Sequence, residues 1–149
     1  MNKLHEKHIS EAATVLNPDQ RNSVFLICDH ASSNIPPEYD NLGVGSADRQ
    51  DHIGWDIGTA DITRVLAGEL KAPAVLGSVS RLLIDYNRQA DAPDVITEVT
   101  HGIVVPGNRG LDSQERKDRF QRFYNPYHKT IDRHLCKSGA AVIVSVHSF

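Results

Sequence analysis

The sequence predicts an α/β fold, a layered mixed or largely parallel sheet with flanking helices, and three observations predict it. Short β-prone apolar runs alternate with helical periodicities along the chain. Two of those runs give out at a histidine, and no internal repeat or low-complexity tract interrupts them. At 149 residues, with 40% hydrophobic and 23% charged content, the chain has the balance of one core-forming domain, so residues 1–149 are read as a single unit behind a polar lead-in at 1–22.

After the turn signal Asn17-Pro18-Asp19, the run Ser23–Cys28 is apolar and β-prone and reads as a buried strand. It breaks at the polar cluster Asp29–Asn34, and Pro36 and Pro37 forbid its continuation. From about Asp51 to Lys71, Ile62, Val65, Leu66 and Leu70 form a helical stripe whose beginning Gly54 and Gly58 weaken. Ala74–Val79 reads as a second strand and Leu82–Asp85 as a third short extended piece, followed by a loop from Gln89 to Gly110. Asp112 and Glu115 have capping-box spacing and open a helix over Arg116, Phe120, Phe123 and Tyr124, which Pro126 must kink or restart. The second piece carries Tyr127, Ile131 and Leu135 on one face and stops at Ser138-Gly139. Ala141–Val146 is a β-branched strand ending at His147.

The net charge of −3 and the mixing of its signs leave no basic stripe to follow a phosphate backbone, which argues against nucleic acid as a partner. The nucleotide-binding glycine patterns are missing as well. Cys28 and Cys136 lie far apart without metal or redox spacing and are read as free thiols of a reducing compartment. No apolar stretch makes a signal peptide or approaches the roughly 20 residues of a membrane span, so a soluble, cytoplasmic protein without membrane contact is expected. Oligomeric state is not legible.

Ligands of a parallel sheet sit at the carboxyl ends of its strands, where His30 and His147 would both lie. A catalytic zinc needs three N, O or S donors within about 2 Å and an open position for water. Candidates for the third donor are His52 and Asp56, which share a face if their segment is helical, and Asp29; as bare residues Asp51, His52 and Asp56 read more readily as a solvated helix start. In Ser80–Arg88, Arg81, Asn87 and Arg88 flank an apolar core. Guanidinium forks and an amide there match an acidic ligand, although an ion pair of Arg81 with Asp85 fits the pattern as well. Val104–Gly110 is a rigid turn with a polar tip, and Asn125–His128 joins two helical pieces; turn chemistry alone accounts for the first, and capping or packing for His128.

Read in order, CDHASSNIP, HIGWDIG, SRLLIDYNR, VPGN, PYH and VHSF resemble the motifs of the N-formylglutamate amidohydrolase family, from about Ser23 to Phe149. The resemblance implies a phosphorylase/hydrolase-like core similar to zinc carboxypeptidases and aspartoacylase-like deacylases. It makes His30, Asp56 and His147 the zinc ligands, with His52 or Asp29 as alternates at the second position. It gives Asn87 and Arg88 the grip on a substrate carboxylate, with Arg81 as companion. The implied partner is a small acidic N-acyl amino acid, and the implied reaction is zinc-assisted hydrolysis of its amide to formate and the amino acid. Another N-acyl substrate, or binding without hydrolysis, are the competing readings. The resemblance also places the general base beyond Phe149, so that the chain is expected to be a truncated amino-terminal part.

Overall fold

The computed structural model describes residues 6–148; Met1–His5 of the lead-in and Phe149 lie outside the described residues. Its strands are Glu6–Ile9 (β1), Ala13–Leu16 (β2), Val24–Cys28 (β3), Ala74–Gly77 (β4), Val99–Thr100 (β5), Ile103–Val104 (β6) and Val142–Ser145 (β7). Five of them form one mixed sheet in the order β1-β2-β4-β3-β7, while β5 and β6 make a separate hairpin. Parallel pairing joins β3 to β4 and to β7, and antiparallel pairing joins β2 to β1 and to β4. The expected mixed α/β sheet is therefore present.

Its lead-in differs from expectation, because part of the polar stretch at 1–22 supplies β1 and β2. Ala13, Val15 and Leu16 are buried there, and four short residues sufficed for a strand because β4 was available as a template. Such a piece has too little periodicity to be seen in isolation.

The helices are Ser46–Gln50 (α1), Thr59–Leu70 (α2), Ser113–Arg119 (α3) and Asn125–Ser138 (α4), of which α2 and α4 pack on the sheet. Alternation along β3 divides the core: Leu26 and Cys28 meet Ala60 and Ala67 of α2, whereas Phe25 meets Tyr127 and Ile131 of α4 on the opposite face. The expected helix from Asp51 is shorter at its start. Gly58, at φ 82° in the left-handed region, is the N-cap of α2, and the segment before it is a set of turns. The stripe of α2 also faces otherwise than its periodicity suggested. Small residues, Ala60, Thr63 and Ala67, are buried against the sheet, while Ile62, Val65 and Leu70 are exposed. Close approach to the sheet selects small side chains, a choice that hydrophobicity alone does not register.

Leu82–Asp85 is not a strand. Its leucines and Ile84 are fully buried, but Leu83 N–H donates to Ser80 O and Asp85 N–H to Val95 O, so turns and loops take the hydrogen bonds that a sheet neighbour would have taken. Around Pro126, a π-helical turn at Phe120–Tyr124 links α3 to α4. The widened turn ends just where proline can supply no N–H, at the first residues of α4. Among the described residues no helix is long and apolar enough to cross a membrane. Both cysteines are free, Cys28 buried and Cys136 exposed.

The capping box opens α3 as expected: Asp112 Oδ1 accepts from the N–H groups of Gln114 and Glu115 at 2.8 Å each, and Glu115 accepts from Asp112 N–H at 2.9 Å. Replacing Asp112 by Ala removes two charge-assisted bonds at an exposed helix end. It should lower unfolding stability by about 1 kcal/mol, seen as a shifted urea midpoint with an unchanged slope.

Candidate metal centre

Strand pairing brings the two strand-end histidines together. Ile27 of β3 lies opposite Ser145 of β7, so His30 and His147 emerge side by side at the carboxyl edge of the parallel strands, with ring centroids 5.3 Å apart. Asp56 reaches the same place from the turn before α2. Its N–H donates to His30 O at 2.9 Å, and its own carbonyl accepts from the Thr59 hydroxyl at 2.6 Å. Ser80 braces that turn by donating from Oγ to Gly54 O at 2.8 Å, and Arg81 N–H reaches the same carbonyl at 3.2 Å. His30, Asp56 and His147 then offer ligand atoms that all lie within 4.8 Å of one another.

Each ring has one nitrogen turned to Asp56 and the other turned to a different carboxylate. His30 Nε2 donates to Asp85 Oδ1 at 2.7 Å, and its Nδ1 stands 3.5 Å from Asp56 Oδ2. His147 Nδ1 is 2.9 Å from the same Oδ2, with its Nε2 3.4 Å from Asp29 Oδ2 and 2.9 Å from Ser145 Oγ. With Nε2 of His30 as the donor, Nδ1 of a neutral ring, the form a metal ligand requires, would carry a lone pair. That nitrogen is buried and without a hydrogen-bond partner. A buried lone pair aimed at a carboxylate is unfavourable unless a cation lies between them, so the donor set fits a metal ion.

The surrounding charges agree with this arrangement. Burial works to raise the Asp85 carboxyl, but the hydrogen bond and charge of His30, the Asn87 N–H and Arg81 together hold it below the usual carboxylate range. Burial pushes His147 down, toward the neutral ring that a metal ligand must be. Asp29 is fixed in turn by Tyr127, whose hydroxyl donates to Oδ1 at 2.7 Å; burial and then Asp29 raise that phenol far above its ordinary value and keep it a donor. Tyr127 stacks flat on Tyr86 at 4.1 Å.

The predicted residues separate accordingly. His30, Asp56 and His147 are brought together, and Asp29 stands behind His147 as its partner. His52 is exposed on the turn after α1, paired with Asp51 at 2.9 Å and set edge-on to His101, outside the group. The i to i+4 helical relation proposed for His52 and Asp56 fails because that segment is not helical. Arg81 donates through Nη2 to Asp56 Oδ1. A cavity of about 320 Å³ adjoins the group, with Arg81, Asp85, Arg88, Asp94, Thr97 and His101 among its walls. Arg88 meets Asp94 at 3.1 Å, whereas exposed Asn87 is not among the lining residues and touches the site through its N–H, which donates to Asp85 Oδ1 at 2.8 Å. Sequence reasoning had not given Asp85 or Tyr127 a part in the site. The first stood inside the quoted SRLLIDYNR segment, and the second was counted only as a core residue of the PYH segment.

A strand-edge cluster of two histidines and an aspartate beside a cavity with arginine walls defines a site suited to a divalent metal next to an anionic ligand. The chain belongs to the N-formylglutamate amidohydrolase family, whose model matches residues 22–149. It is also similar to the crystal structure of gene product Atu2144 from Agrobacterium tumefaciens, with 32% sequence identity and a TM-score of 0.89 over 94% of this chain. The chain spans 57% of the length of that protein. Among curated proteins none matches it significantly.

Asp85→Asn keeps the shape of the carboxylate but offers His30 Nε2 a weaker acceptor. Zinc affinity of the purified chain, measured by competition with a chromogenic chelator, should fall by about 10–100-fold with little change in the melting midpoint.

Proposed function

We propose that this chain carries the metal and substrate sites of a zinc-dependent amidohydrolase that cleaves N-formyl-L-glutamate, or a similar N-acyl amino acid, to formate and the amino acid, on a core of zinc-carboxypeptidase-like type. The observation that carries the reading is the orphaned His30 Nδ1 facing Asp56, with His147 turned to the same carboxylate. Two imidazoles and one carboxylate match a catalytic zinc site that keeps one position open. When bound, zinc supplies Lewis acidity that polarises an amide carbonyl and acidifies a water.

The remaining work falls to the residues of the chain. Asp85 and Asp29 hold the two rings in the tautomer that turns Nδ1 inward. Arg88 and Arg81, on the wall of the adjoining cavity, receive the substrate carboxylate, with Asn87 beside them. In the present arrangement Asp94 occupies one edge of the Arg88 guanidinium at 3.1 Å, and both side chains are about half exposed. An ion pair so open to water is worth only about 0–1 kcal/mol, so an incoming carboxylate displaces Asp94 at little cost.

One observation favours a second reading, binding without hydrolysis: the carboxylates beside the histidines other than Asp56, namely Asp29 and Asp85, are both turned to ring nitrogens rather than to a water's proton.

Elemental analysis of the purified chain should find close to one zinc per chain, lost in both His30→Ala and His147→Ala. Calorimetry with the zinc-loaded chain should show N-formyl-L-glutamate binding that Arg88→Ala weakens by about tenfold or more. Formate release from a panel of N-acyl amino acids then distinguishes hydrolysis from binding alone. A wild-type chain that takes up no zinc from a metal buffer would overturn the reading.

A further inference from the structure

Arg119, in the last turn of α3, is a guanidinium buried to 3% exposure, and the metal group and the carboxylate grip leave it without a role. Its Nη1 donates to Leu83 O at 3.0 Å and to Asn108 Oδ1 at 2.6 Å, and its Nη2 donates to Gly107 O at 3.0 Å. Asn108, 2% exposed, passes the connection on: its amide nitrogen donates to Leu82 O at 2.8 Å and to Thr97 O at 2.7 Å. All of these acceptors are uncharged.

We propose that Arg119, acting through Asn108, is the positioning residue of the substrate-carboxylate wall, the clamp that sets Arg81 and Arg88 at the distance an acidic substrate requires. The inference rests on reading the cavity beside the metal group as the substrate site. The pinned atoms carry the argument. Leu82 and Leu83 lie between Arg81 and Asp85, Thr97 lies on another wall of the same cavity, and Gly107 precedes Asn108 in the turn Pro106–Asn108. The segment 81–88 has no strand partner, so these side-chain bonds replace the ladder that would otherwise fix it.

The residue type follows from the geometry. A planar fork reaches three acceptors on two segments at once, and its central carbon sits 5.2 Å from the Tyr39 ring centroid, a cation–π distance. A lysine ammonium could not span the same set. Burial draws the guanidinium down from its ordinary value, the mark of a charge kept in place for its bonds rather than for solvation. None of the clamp's bonds touches His30, Asp56 or His147, so the clamp can be loosened without dismantling the metal group.

Zinc-loaded wild-type, Arg119→Lys and Asn108→Ala chains test the proposal through three measurements: zinc content, amide hydrogen exchange by mass spectrometry, and L-glutamate binding by calorimetry. Zinc content should hold while exchange speeds up in 81–88 and 97–108 but not in β3 or β7, and L-glutamate should bind about tenfold or more weakly. The double variant should lose less than the sum of the two single ones, because the Arg119–Asn108 bond is counted in both. Unchanged exchange in those segments overturns the clamp. Faster exchange with undiminished L-glutamate affinity overturns the positioning role, as does a uniform loss of protection together with zinc loss. Wild-type chain that holds zinc but does not bind L-glutamate overturns the substrate reading itself, and segment-specific exchange still decides whether the clamp exists.

Discussion

Parallel pairing of β3 with β7 is the constraint on which the rest of the site depends. Two adjacent strands running in the same direction deliver their carboxyl ends to one edge, and the register that sets Ile27 against Ser145 fixes how far apart the next residues emerge. One slip of that register would turn alternate side chains to the opposite face and part the two histidines. The apolar alternation of β3 opposes such a slip, because Phe25 belongs under α4 while Leu26 and Cys28 belong under α2. The core that stabilises the sheet is thus the device that sets the spacing of the candidate ligands. The outer edge of β7 is a different matter: Val142, Ile143 and Val144 are exposed, an apolar strand edge of the kind that proteins normally cover.

Around the paired histidines the chain balances charge closely. Asp56 faces both rings and accepts from Arg81, Asp85 serves His30 and lies within reach of Arg88, and Asp29 serves His147 with its other oxygen held by Tyr127. Each buried carboxylate therefore meets a donor, which is the condition for keeping it ionised away from water. Among the ring nitrogens of the two candidate ligands, His30 Nδ1 is the one without a hydrogen-bond partner, and a cation between it and the Asp56 carboxylate would complete both.

Much of this was legible in the sequence, and for physical reasons. The strands ending near His30 and at His147 are β-branched and apolar enough to be read locally, and Asp112 with Glu115 carries its own cap geometry. What escaped depends on partners distant in the chain. Residues 13–16 become a strand only against β4, α2 turns its alanines inward only because the sheet lies so close, and Leu82–Asp85 gives up its strand character because Asn108 and Arg119 capture its carbonyls. Asp85 and Tyr127 escaped for a related reason. A residue that orients a ligand has no spacing rule of its own, since its partner may stand 55 or 98 positions away in sequence.

Close approach explains one more feature that no pattern of hydrophobicity conveys. Gly77 closes β4 where a Cβ would stand 2.2 Å from the carbonyl oxygen of Asp29 and 2.9 Å from the Tyr86 ring. Neither neighbour can yield independently. Tyr86 is held by its hydroxyl bond to Ala12 O and by its stack on Tyr127, and Tyr127 holds the Asp29 carboxylate. Any side chain at position 77 would therefore press on a closed circuit running from β4 through two tyrosines to the aspartate that orients His147. The absence of a side chain on the sheet and the orientation of a ring at its edge are two ends of one packing problem, and glycine is the residue that solves it.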